Sequence, residues 1–451
     1  MSERTKWKRP RRLIPVALAG LVVIGVVGFR VASKGGLQRE LAEIRAKGLP
    51  TNPRELDQWY AAVPAEENAG VKFLAAHDVY VEPGEGSNPG EVDWNSIPHD
   101  AALSAEVVAM LEEHVAKNEE TRARMREAAK LKKSRYPADW SQAPETLLPH
   151  LAKMKTLASL ARWEAVLQAE RGNSAEALEG LKCGYALMHT LAQEPVLISE
   201  LVRMAYGWIT LMGTERVLNV AQFSEAELAE LAEIIKEAAD ECGPSLHRAM
   251  IGERAFANTG RTLTYDDYEQ AFAWGGTPPL SADVPEVVRR TLYNLRSGLG
   301  MQSRDHAYYL RSVGRLADAA ALKHPQMLAT NQALEAEMIA EMNEHTLVYL
   351  WSRMSLPALM PAARKEALLE AKLRCAQMAV EIERFRAVNE GRLPRTDELA
   401  AVLKEWPIDP ADGKRLEYRV EKQGYRVVAV ETAQREAKRG TRVVPEFRML
   451  R

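Results

Sequence analysis

Apolar positions recur at steps of three and four along most of this chain, from Leu37 to about Met360, and that spacing predicts helices almost throughout. The first, Leu37 to Lys47, stops at Gly48 and Pro50. Thr51-Asn52-Pro53 supplies a cap with proline at the first helical position, opening a helix through Leu56, Trp59 and Tyr60. A turn-rich stretch from Pro83 to Pro98 follows. Ser104 then caps a helix running to about Leu131, with Val107, Met110, Leu111, His114 and Val115 on one face. Helices are predicted over Leu148 to Arg171, Ala175 to Leu191 and Pro195 to Val220, the last apolar on most sides and therefore central in a bundle. Ser224 and Glu227 form a capping box for Glu225 to Glu241, and Pro244 opens a helix toward Thr259. Periodicity lapses from Arg261 to Gly300, the longest irregular candidate, and resumes over Ser303 to Leu322, Gln332 to Leu350 and Pro361 to Asn389.

Beyond Gly391 the pattern changes. A short helix from about Thr396 to Lys404 and a turn over Pro407 to Lys414 precede two stretches of alternating character, Leu416 to Val420 and Tyr425 to Val430. Joined through Glu421 to Gly424, they read as a β-hairpin covering the long helix before them, whose apolar stripe is Leu368, Ala371, Cys375, Met378, Ile382 and Phe385.

The N-terminal end differs from both. Leu13 to Phe29 is uninterrupted by charge and follows a basic leader containing Arg4, Lys6, Lys8, Arg9, Arg11 and Arg12. As a helix the run is roughly 26 Å long, close to the apolar thickness of a bilayer. The charge asymmetry places the N-terminus in the cytoplasm and everything after Arg30 on the far side of the cytoplasmic membrane. A cleaved secretory signal would carry an A-x-A-like site, whereas the run ends in Phe29-Arg30-Val31-Ala32-Ser33-Lys34, so a retained single-pass anchor is expected. Gly35 and Gly36 read as a flexible break behind it. The expected fold is mainly α: residues 1–36 a leader, transmembrane helix and linker; 37–360 an all-helical body of helix hairpins; 361–451 a small α+β segment with the β-hairpin.

Composition narrows the function classes. A chain of 451 residues with 46% hydrophobic content supports a substantial core, and a formal net charge of -2 leaves no basic excess beyond the leader to attract nucleic acid. Cys183, Cys242 and Cys375 are far apart and odd in number. Their spacing is that of buried small apolar residues and not of a zinc or redox motif, although one bridge is open to them in an oxidising compartment.

Ala161 to Leu178, with Gly172, Ala177 and Leu178 at the turn, resembles one tetratricopeptide hairpin; with no second copy, helical hairpins without true repeats are implied. Gly391, Pro394, Thr396, Leu399, Asp409, Pro410, Gly413, Tyr418 and Tyr425 occupy the turn positions of the C-terminal region of type II secretion pseudopilins. The likeness covers about a fifth of the chain and implies a helix, short helix and hairpin in that order. The family's N-terminal processing motif beside this helix and its acidic, glycine-rich calcium loop are missing, so neither pilus assembly nor a calcium site is implied. As a whole, with Glu67-Asn68-Ala69 early in the chain, the sequence resembles single-anchor bacterial envelope proteins, which implies an architecture and no activity.

Searching for chemistry yields little of comparable force. Glu112-Glu113-His114 and Glu341 with His345 are the densest histidine clusters, yet neither puts two imidazoles on one helix face; an ordinary ion pair is expected at Glu341 and His345. Glu253, Arg254 and Arg248 lie on an otherwise apolar helix and predict a buried ion pair. Tyr265, Asp266, Asp267, Tyr268 and Trp274 combine aromatic planes with carboxylates and form the one candidate ligand-binding set, of the kind that stacks and hydrogen-bonds a sugar or peptide. No catalytic, metal or cofactor set is predicted. The expectation is a membrane-anchored, extracytoplasmic, non-enzymatic scaffold or interaction module, its partners the membrane through Leu13 to Phe29 and another protein, with no nucleic acid. The alternative is an anchored hydrolase acting on cell-envelope polymer.

Overall fold

A single helix, α1, runs unbroken from Leu13 to Ala46 in the computed structural model. The structure describes residues 13–94, 96–140, 148–258, 264–267, 269, 284–403, 405–441 and 444–451, with the backbone alone at 13–20, 22 and 23. The expected flexible break at Gly35 and Gly36 is therefore corrected: both are helical. Each glycine costs about 1 kcal/mol in a helix, an amount offset by docking of the end of α1, where Leu41 and Ile44 enter the core. Among the described residues no helix is long and apolar enough to cross a membrane. The run Leu13 to Phe29 falls for the most part on side chains outside that set.

Helices α2 (Pro53–Trp59), α3 (Ala69–His77), α4 (Ala105–Lys117) and α5 (Glu119–Ala129) follow. Asn52, Asn68 and Ser104 cap α2, α3 and α4 by accepting from backbone N–H groups of the first turn. The helix expected from Ser104 to Leu131 divides at Asn118. That side chain turns inward to accept from Val81 N at 2.9 Å and to donate to Val81 O at 3.0 Å, so the chain bends to satisfy it.

The bundle continues with α6 (His150–Glu170), α7 (Ser174–Leu191), α8 (Leu197–Val220), α9 (Glu225–Asp240) and α10 (Pro244–Ala257). Gly172 takes a left-handed φ of 76° between α6 and α7. Gly180 then lets the two backbones close: a Cβ there would stand 2.9 Å from Ala165 N and 3.0 Å from Ala161 O.

After the stretch whose expected irregularity extended to Gly300, α11 (Glu286–Gly298) in fact forms a helix, followed by α12 (Met301–Ala320), α13 (Gln326–Glu344), α14 (Leu350–Leu359) and α15 (Ala362–Val388). The end of the chain holds α16 (Thr396–Val402), β1 (Glu417–Val420), β2 (Tyr425–Val428), α17 (Val430–Lys438) and β3 (Glu446–Met449). The sheet is antiparallel in the order β1-β2-β3, with Tyr425 opposite Met449 and Val427 opposite Phe447. The hairpin is thus part of a three-stranded sheet whose last strand the sequence pattern did not mark.

Mainly helical with a small C-terminal sheet, the fold buries its apolar surface in three principal clusters. The largest joins α6 to α9, α15 and the sheet; the second joins the end of α1 with α10, α12, α13 and α14; the third joins α3, α5, α6 and α7. Helix α15 is enclosed by α8, α9, β2 and β3, so the first helix of residues 361–451 lies inside the same core as the helices of 37–360. Cys183, Cys242 and Cys375 are buried and unpaired.

Strand β3 ends the sheet, and α8 takes the place of its missing neighbour. Glu215 Oε1 accepts from Arg448 N at 2.8 Å; Asn219 donates to Arg448 O at 2.9 Å and accepts from Leu450 N at 2.7 Å. Lys372 of α15 closes the contact, 2.5 Å from Glu215 Oε2 and also donating to Glu446 O. Asn219→Leu leaves a buried N–H and C=O unpaired and is expected to cost about 1–3 kcal/mol. A lowered urea midpoint, with faster amide exchange at Arg448 and Leu450 than elsewhere in the sheet, would show it. Gly252→Ala is expected to cost as much or more, because its Cβ overlaps the Pro195 carbonyl, which is backbone and has little room to give; thermal unfolding checks it.

Candidate functional site

The loop set is only partly assembled. Tyr268 and Trp274 lie outside the described residues. Tyr265 is buried, 5.8 Å edge-to-face from Tyr293 of α11, with its hydroxyl donating to Glu269 at 2.5 Å and accepting from Arg289 Nε at 3.2 Å. Asp266 pairs with Arg290 at 2.7 Å. Asp267 accepts from both the backbone N and the hydroxyl of Thr264 at 2.8 Å. Tyr265 and Asp266 thus hold their segment onto α11, whereas Asp267 caps it locally through Thr264. Two arginines of α11, Arg289 and Arg290, supply the grip, with the Arg290 guanidinium 4.8 Å over the Tyr265 ring.

The other sequence candidates resolve into packing. Glu341 accepts from the Tyr349 hydroxyl at 3.1 Å, and His345 lies edge-on to the same ring, so Tyr349 takes the place of the expected ion pair. Glu112 and Glu113 pair with Arg171 and Lys117, while His114 is buried with Nε2 3.1 Å from the Tyr80 hydroxyl. Among the described residues Glu253, Arg254 and Arg248 form no ion pair with one another. Glu253 accepts from Leu197 N at 2.9 Å and Arg248 donates to the Ala192 carbonyl. The helix spacing places the three on one element but aims them at different neighbours.

The densest polar constellation is one that sequence reading missed. It sits where the first and second core clusters meet. Glu366 of α15 is wholly buried and accepts from Gly243 N, the residue with a left-handed φ of 72° that joins α9 to α10. Its other oxygen is 3.9 Å from His324 Nε2, and Glu370, one turn on, is 3.4 Å from the same nitrogen. Arg203 of α8, fully buried, is gripped by Glu200 through two hydrogen bonds of 2.8 Å and lies 3.9 Å from Cys242 Sγ; Arg374 pairs with Glu370. Helices α8 and α15, the α9–α10 junction and the turn carrying His324 thus meet in one polar joint. The sequence signal was slight: Glu366 and Glu370 stand at i and i+4, but among Arg364, Lys365, Lys372 and Arg374 they read as an ordinary charged helix face.

Burial dominates the electrostatics. It pushes the Glu366 carboxyl up to about 8, aided by the nearby Glu200 charge and opposed by Gly243 N–H and Arg203. Burial also raises Glu370, against the pull of Arg374 and His324, and lowers His324. Burial thus favours the protonated form of Glu366 and the neutral form of His324, with Arg203 held by Glu200 and Arg374 beside Glu370. Such an arrangement stores a proton and sets helix register; it has no solvent access for a substrate, since Glu366 is 0% exposed. Among the described residues no group of three or more His, Cys, Asp and Glu is placed to hold a metal ion.

A smaller buried pair stands apart. His150 Nε2 is 3.0 Å from Glu194 Oε2, and its ring stacks on Tyr136 at 4.3 Å. Asn68 of the early Glu-Asn-Ala step is explained locally: besides capping α3, it exchanges two hydrogen bonds with Arg135, of 2.8 and 3.0 Å, tying residues 131–136 to α3.

Compared with known proteins, the chain matches no family model, no curated protein and no solved structure.

The Glu366 site generates a pH prediction. Its folded-state value lies above the ordinary 4.5, so its stabilising contribution is complete below about 4.5 and is lost as pH rises through about 8. Glu366→Gln, isosteric with the neutral acid, is expected to flatten that decline, gaining on the native chain by at most ~1.4 kcal/mol per pH unit across the window. Urea midpoints of both chains at several pH values check it, and a difference independent of pH would count against a neutral Glu366.

Proposed function

We propose that this chain is a single-pass, membrane-anchored scaffold whose helical body lies outside the cytoplasm and engages another protein. One observation carries the reading. The apolar run Leu13 to Phe29 and the core-docked residues Leu41 and Ile44 share one unbroken helix, and Glu40 pairs with Arg311 of α12 at 3.2 Å. A span built this way holds the body at a set height and angle over the bilayer, and tethering raises its effective concentration for anything else held there. The basic leader supports a cytoplasmic N-terminus.

The pseudopilin likeness of residues 361–451 and the tetratricopeptide likeness of residues 161–178 belong to this proposal as descriptions of local architecture. Use of the tail as a filament subunit finds no support, because α15 is enclosed by the body and the sheet. Nor does the loop geometry favour a hydrolase: Asp266 is spent on Arg290 and Asp267 on Thr264.

The expected outcome is that the full chain stays with the membrane pellet through high-salt and alkaline washes, and that protease added to spheroplasts digests the body while sparing a tag placed before Arg4. Release by alkali, or protection of the body, would overturn the reading. Photo-crosslinkers at exposed Ile198 and Ile339 are expected to capture a discrete partner species; adducts at neither position would remove the scaffold role.

A further inference from the structure

Helix α11 wears its apolar side outward. At 100° per residue, Val287, Val288, Thr291, Leu292 and Leu295 share one face, whereas Tyr293 and Arg296 point the other way. Tyr293 packs with Tyr265 and Leu350; Arg296 binds Asp305 at 2.5 Å and donates to the carbonyls of Leu347 and Val348 at 3.0 and 2.7 Å. The body therefore takes the polar and aromatic side, and the aliphatic side is left facing away, with Val287 76% and Leu295 57% exposed. Contiguous exposed aliphatic surface on a folded chain marks a contact with something.

Its position says with what. Gly300, which opens α12 directly after α11, packs against Arg30: a Cβ added to the glycine would stand 3.1 Å from Arg30 Cα. Further along both helices Arg311 meets Glu40, so α12 and α1 run side by side in the same direction, and α12 begins at the level of Arg30. Arg30 is the first charge after the run Leu13 to Phe29. On the anchor reading, on which this inference rests, Arg30 lies at the lipid–water boundary, and the C-terminal end of α11 is held there with it. We propose that the outward face of α11 lies in the outer interface of the bilayer, as an in-plane amphipathic helix that fixes the body against the membrane beside its own anchor. Helices of this kind seat their apolar face about 5–10 Å into the headgroup and acyl boundary. Arg289 and Arg290, on the flank away from this face, are committed to Glu269 and Asp266 and so bind the neighbouring loop to the same platform.

The test uses the full chain reconstituted into vesicles of zwitterionic phospholipid. The three native cysteines are buried, so a thiol-reactive fluorophore can be directed to Leu295→Cys or, as a second site on the same face, Val287→Cys, with Lys422→Cys in the exposed β1–β2 turn as the distant control. Both α11 positions are exposed, so the substitutions leave the core untouched. Lipid carrying a quencher on its upper acyl chain is expected to reduce emission at 295 and 287 by at least about two-fold, the depth reached by interfacial helices, and to leave 422 unchanged. Chain that floats with the vesicles but shows no quenching at 295 or 287 would overturn this inference and leave the anchor reading standing. Such a result would assign the face to a protein partner instead. Chain that fails to float at all would overturn both.

Discussion

Two side chains of α8 hold the C-terminal sheet to the helical body. Glu215 and Asn219, one turn apart, give strand β3 the hydrogen bonds that another strand would have given, and Lys372 reaches across from α15 to neutralise the carboxylate. A sheet edge buried without such partners would leave peptide groups unpaired at a cost of about 1–3 kcal/mol each, so the contact decides whether the tail docks. Once it docks, Tyr425, Val427, Phe447 and Met449 press onto α15, whose remaining faces meet α8 and α9. The Lys372 ammonium also lies 5.3 Å from the Phe447 ring centroid, a favourable surface for its charge.

The same helix reaches the polar joint from its other end. Glu200 and Arg203 sit near the start of α8 as Glu215 and Asn219 sit near its end, so one element registers the large core against both the sheet and the second core. The second core in turn holds the end of α1. A continuous mechanical path therefore runs from α1 through α12 and α10 to α8 and the sheet, with the neutral Glu366 and Gly243 at its crossing point. In the polar joint, buried polar groups lie where separate apolar clusters adjoin. There they cost solvation but specify which faces meet.

Period and punctuation made most of the helices legible. Asn52, Ser104 and Ser224 cap where their spacing said they would, and Gly172 turns the chain between α6 and α7. The failures have particular causes. Asn118 breaks a helix because a carbonyl and an N–H of Val81, remote in sequence, compete for its side chain. Strand β3 is too short and too interrupted by charge, in Glu446-Phe447-Arg448-Met449, to announce itself; its strand state comes from β2 on one side and α8 on the other. The helix α11 escaped although its aliphatic residues recur at helical steps, because it follows directly on the glycine- and proline-rich stretch 275–285 and merges with it in the sequence pattern. Of the candidate site, the chain pattern placed Tyr265 beside Asp266 and Asp267 but could not reveal that arginines from α11 engage the first two.

Local sequence chemistry was enough to settle many helix caps, the mainly helical class, the hairpin, and the uncharged run ahead of Arg30, because each depends on neighbours within a few residues. The helix expected over Gln332 to Leu350 instead runs Gln326–Glu344 and is followed by a separate helix, Leu350–Leu359. Which charged groups become buried, and whether burial leaves them charged, followed only from packing. Glu366, Glu370, Arg203 and His324 are scattered over more than 160 positions of the chain, and their desolvation exists only when α8, α9, α10 and α15 close around them. Burial and partnership are properties of assembled surfaces, and no single stretch of residues encodes them.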